Sequence, residues 1–63
     1  MNAQIQNNEA DKIRAAQRAR NLERQAEVSG LKVDWMSAAR AWLSAGNLDA
    51  VQRCEFAAEL CKR

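Results

Sequence analysis

Only two positions in this chain argue against helix. Gly30 and Gly46 are its only glycines, and it has no proline. Around them the sequence is rich in alanine, arginine, glutamate, glutamine and leucine, all good helix formers. The glycines therefore divide the chain into three helical segments. The connection Gly46-Asn47 is so short that the second and third must run antiparallel as a hairpin. The spacing predicts helices over about 9–28, 35–45 and 48–62, with the polar residues 1–8 frayed. Gly30 and Gly46 read as left-handed caps, Asp34 as the N-cap of the second helix and Asn47 as the N-cap of the third. The expected fold is all-α: a single domain, 1–63, of an N-terminal helix plus an antiparallel helical hairpin, assembled as a dimeric helical bundle.

The three segments differ in how much apolar surface they carry. In the first, Ala15, Ala19, Leu22 and Ala26 make a narrow stripe spaced four, three and four, with Ile13 and Val28 off it. A helix this polar needs a surface to lie on. In the second, Trp35, Met36, Ala38, Ala39, Trp42, Leu43 and Ala45 cover about half the circumference, leaving Ser37, Arg40 and Ser44 as the polar side. The third carries Val51, Cys54, Ala57, Ala58 and Cys61 on one side and a second ridge, Phe56 and Leu60, four residues apart. Gln52, Glu55, Glu59 and Lys62 are expected to face water.

One hairpin cannot cover both sides of its third helix, and a chain of 63 residues buries only about 60% of its unfolded surface, which leaves its core marginal. The expected solution is a homodimer, since twofold pairs are the commonest closed assembly. Trp35, Ala39, Trp42, Leu43, Val51, Phe56 and Leu60 are the candidate core or dimer-interface residues. The tryptophans have a second reading as exposed anchors for another protein.

Several function classes lose support at this level. The chain has no histidine or tyrosine and two cysteines, Cys54 and Cys61. That set does not supply a four-ligand zinc site, so no metal and no cofactor are expected. Seven residues apart on one helix, the two cysteines have Cα atoms about 10.5 Å apart by rise alone, too far for an intrahelical disulfide. Buried free thiols in a reducing compartment are the expected state. Ser29, Ser37 and Ser44 have no evident base beside them, and Glu55 and Glu59 read as a solvated helix face, so no enzyme is expected. No run of about 20 apolar residues marks a membrane span, and the lead MNAQIQNN has no apolar signal core. A cytoplasmic protein is expected.

The charged residues leave two partner classes open. Net charge is +2, mild for a polyanion binder. Yet Lys12, Arg14, Arg18, Arg20 and Arg24 lie close together on the first helix. Arg14, Arg18, Arg20 and Arg24 are the candidate contacts, for a protein partner or for RNA or DNA. Arg14/Arg18 and Arg20/Arg24 fall on different sides of the helix, and Glu9, Asp11, Glu23 and Glu27 nearly balance them. Glu23 and Glu27 are expected to pair with Arg20 and Arg24 along the helix. A helix-turn-helix reading fails because the outward residues of the third helix are not basic.

Three resemblances accompany this reading. Trp35, Ala39, Trp42, Gly46, Leu48, Val51 and Ala58, spaced 4, 3, 4, 2, 3 and 7, resemble one tetratricopeptide-type hairpin. The resemblance covers residues 35–58 and departs from the family at Glu55, where an apolar residue is usual, and in lacking the closing proline. It implies a hairpin and an interaction role. The polar MNAQIQNN lead, the Arg/Ala helix and the Trp-bearing hairpin together resemble the small accessory proteins of lambdoid bacteriophage early regions. That implies a regulatory role, with a host protein as partner, in the host cytoplasm. The arginine segment itself resembles the arginine-rich helices with which lambdoid antiterminators bind hairpin RNA.

Overall fold

The computed structural model describes the backbone of residues 2–61 and the side chains of residues 9–61. Among the described residues there are three α-helices and no strand: α1 Asn2–Ser29, α2 Lys32–Ser44 and α3 Leu48–Leu60. The fold is all-α, an N-terminal helix against a helical hairpin. At 28 residues α1 is about 42 Å long, which accounts for most of the longest dimension, 46 Å. It starts at Asn2 rather than 9, because nothing in residues 2–8 interrupts helix propagation once a turn has formed. Lys62 lies outside the described residues.

Both glycines turn the chain as their type allows. Gly30 has φ 68° and Gly46 φ 79°, the left-handed region that costs other residues a Cβ clash. At Gly46 the backbone closes a Schellman motif: Asn47 N–H donates to Trp42 C=O at 3.1 Å and Gly46 N–H to Leu43 C=O at 3.0 Å. Asn47 then caps α3, its side-chain oxygen accepting from Ala50 N–H at 3.1 Å.

The start of α2 differs from the expectation. It begins at Lys32, with extended Leu31 as an N-cap lacking a side-chain bond. Asp34 sits inside the first turn, where a negative charge complements the helix dipole. Its carboxylate accepts the Ser29 hydroxyl, and the Ser29 oxygen takes Leu31 N–H at 3.2 Å. The N-cap expected of Asp34 is therefore not made; its carboxylate is engaged by Ser29 at the α1–α2 connection instead.

The middle helix organises the packing. α1 and α3 both lie on α2 and touch each other sparingly. The core is built from small residues: Ala19 and Ala26 of α1, Ala38 and Ala39 of α2, and Ala50, Val51, Cys54 and Ala58 of α3. Trp42, only 7% exposed, is the one large side chain buried there. Alanines at facing positions let the helices approach closely, and Trp42 packs among them as the bulky member of the cluster. Trp35, Ala16, Leu22, Ala41 and Ala45 pack half-buried around this cluster.

Candidate functional site

The predicted core and interface residues separate into two groups. Ala39, Trp42 and Val51 are buried within the subunit and Trp35 is half-buried against it. The subunit itself does not enclose Leu43, Phe56 and Leu60, which are 57%, 63% and 68% exposed. The reason is helical phase. Val51, Cys54 and Ala58 point at α2, and Phe56 and Leu60 lie on the opposite side of α3. Met36, expected on the apolar face of α2, is exposed as well, as are Val33 and Leu48.

Glu23 ties the three helices together. Its Oε1 accepts the indole Nε1–H of Trp42 on α2 at 2.8 Å and Nη2 of Arg53 on α3 at 2.8 Å. Oε2 accepts Nε of Arg53 at 3.1 Å, which makes the guanidinium contact bidentate. The Arg53 hydrogen bonds hold the Glu23 carboxyl below its ordinary value, outweighing the opposing effect of partial burial. This corrects the expected pairing with Arg20 or Arg24. Among the described residues, Glu23–Arg53 is the only ion pair. It runs between helices because Glu23 sits beside the Ala19/Ala26 stripe and so faces inward.

Beside this node lies Cys54, fully buried. Burial first, then the negative charge of Glu23, pushes its thiol up to about 11. Cys61 is half-buried, and both thiols are free.

The four candidate arginines fall on two separate surfaces. Arg14 and Arg18 line an open groove of about 540 Å³ between α1 and α2, joined there by Arg40 of α2. Ala15, Leu22 and Ala41 provide its apolar lining, with Ser37, Ser44 and Asp11 completing it. Ser37 donates its hydroxyl to Val33 C=O at 3.1 Å, so that hydroxyl is engaged by its own helix. Arg20 and Arg24 lie on the other surface with Glu23, Glu27, Asn47, Trp42 and Arg53, where carboxylates offset them. Arg40 was marked in the sequence only as part of the polar side of α2. Its convergence with Arg14 and Arg18 depends on how α1 docks. No described helix is long and apolar enough to cross a membrane.

Comparison with protein-family models, with characterised proteins and with solved structures finds no match to this chain.

Proposed function

We propose that this chain is a small, non-enzymatic interaction and regulatory module that associates with itself and acts by protein–protein contact. One observation carries the reading. Leu43, Leu48, Phe56 and Leu60 are all more than half exposed on a hairpin whose core is already filled by Trp42, Val51 and alanines. A ridge of one phenylalanine and one leucine at i, i+4, facing solvent, is the pattern by which helices recognise other helices. A homodimer is the smallest assembly that covers it. The resemblance to lambdoid phage accessory proteins extends the reading to a host protein as second partner, in the host cytoplasm.

The competing reading is an RNA- or DNA-binding regulator. Arg14, Arg18 and Arg40 favour it, since they share one groove and have no ion pair among the described residues. Two measurements separate the readings. Sedimentation equilibrium across micromolar concentrations is expected to show association. A mobility-shift titration with a generic RNA hairpin and a DNA duplex at several salt concentrations is expected to show no shift. A folded monomer at every concentration, with a salt-sensitive shift, reverses the choice.

A further inference from the structure

The outer face of α3 is acidic as well as apolar. Glu55 and Glu59 are exposed and four residues apart, and Phe56 and Leu60 form a parallel pair directly beside them. On the other side of the molecule, the α1–α2 groove presents the converse arrangement. Arg14 and Arg18 are also four residues apart, Arg40 stands across from them, and Ala15, Leu22 and Ala41 offer an apolar lining. Residues four apart on a helix are about 6 Å apart, so two carboxylates and two guanidinium groups repeat at the same interval. The small side chains of Ala15 and Ala41 leave room for a third helix to approach closely. Within one subunit the two surfaces do not meet: Phe56 and Leu60 remain 63% and 68% exposed.

We propose that the α3 face of one copy docks in the α1–α2 groove of a second copy, with Phe56 and Leu60 against Ala15, Leu22 and Ala41, and Glu55 and Glu59 against Arg14, Arg18 and Arg40. This rests on the self-association reading and names the two surfaces that meet. It is helix-in-groove recognition in which apolar contact supplies affinity and the charge rows fix register. Because the surfaces are unlike and lie on opposite sides of the molecule, each contact is head-to-tail, and the assembly grows with concentration. Asp11, at one end of the groove, disfavours acidic side chains there and so biases the direction in which α3 lies.

Charge reversal in the full-length chain tests this. Arg14→Glu with Arg18→Glu, and separately Glu55→Arg with Glu59→Arg, are each expected to weaken association about tenfold or more in sedimentation equilibrium. The exchanged positions are exposed, so helix content by circular dichroism stays at the wild-type level. Mixing the two variants pairs a reversed groove with a reversed α3 face and is expected to restore affinity to within about threefold of wild type. Wild-type association that neither reversal alters, or no recovery on mixing, overturns the docking and leaves self-association standing. A wild-type monomer up to about 500 µM overturns both. RNA retardation that is lost on Arg14→Glu/Arg18→Glu, without any effect on association, assigns the groove to nucleic acid instead.

Discussion

The indole N–H of Trp42 donates a 2.8 Å hydrogen bond to the carboxylate of Glu23, nineteen residues earlier and on a different helix. It lets the one large residue of the core bury its ring without leaving the N–H unpaired. The same carboxylate holds Arg53, so one acidic side chain fixes the docking of α1 on the hairpin. Glu23→Ala orphans the indole N–H and is expected to cost about 1–3 kcal/mol. Glu23→Gln keeps an acceptor for Trp42 and is expected to cost less. Urea denaturation of both variants checks the order; equal losses would mean that the Trp42 bond contributes nothing separate.

Acid should weaken the fold through this residue. The folded-state pKa of Glu23 lies below its ordinary 4.5, so the unfolded chain takes up the proton first as pH falls. The stabilisation is complete above that ordinary value and disappears as pH drops through the folded value. Glu23→Gln is therefore expected to show a shallower loss of stability below about pH 4.5 than wild type. Parallel pH profiles for the two proteins, from thermal melts, would rule this out.

The turn between α2 and α3 depends on a conformation, not on a contact. At φ 79° Gly46 has nothing within 4 Å of where a Cβ would stand. Gly46→Ala is expected to lower stability by about 1–2 kcal/mol from backbone strain alone. In a domain of this size that is a fall in Tm of about 4–8 °C per kcal/mol. Gly46→Asn, which tolerates the left-handed region better, is expected to lose less.

The exposed ridge should matter to assembly and not to the subunit fold. Phe56→Ser with Leu60→Ser removes side chains that are mostly in solvent already, so monomer stability should change by about 1 kcal/mol or less for the pair. Wild-type Tm is expected to rise with protein concentration, because association stabilises the folded state by mass action, and the double variant should lose that dependence. A concentration-independent wild-type Tm would refute self-association as a source of stability.

The two thiols should react very differently. With the Cys54 thiol pushed up to about 11, only about a thousandth is thiolate at pH 8, and the sulfur is fully buried. Ellman's reagent is expected to titrate Cys61 promptly and Cys54 only as denaturant unfolds the chain. Prompt reaction of both in native buffer would contradict the burial of Cys54.

Much of the fold was legible because it is written in local chemistry. Gly30, Gly46 and Asn47 cap and turn as their side chains dictate. Ala19 and Ala26 of the predicted stripe are fully buried, while Ile13 and Val28, placed off it, are 61% and 85% exposed. Glu23 was misread because an acidic residue in a charged helix resembles its neighbours until the helix has a partner. Its inward position is implied by its spacing from Ala19 and Ala26, a signal visible in the sequence and outweighed there by charge. Arg40 was legible only as a polar residue.

The sequence by itself determined three helices, their turns and which side of each is apolar, because propensity, capping and periodicity act within a few residues. Only the tertiary structure decided which apolar side is enclosed. With two sides of α3 competing for one α2, close packing of small residues drew in Val51, Cys54 and Ala58 and left Phe56 and Leu60 outside. It also decided which charges meet, since Glu23 with Arg53, and Arg14 and Arg18 with Arg40, are brought together by helix docking across sequence separations that no local pattern encodes.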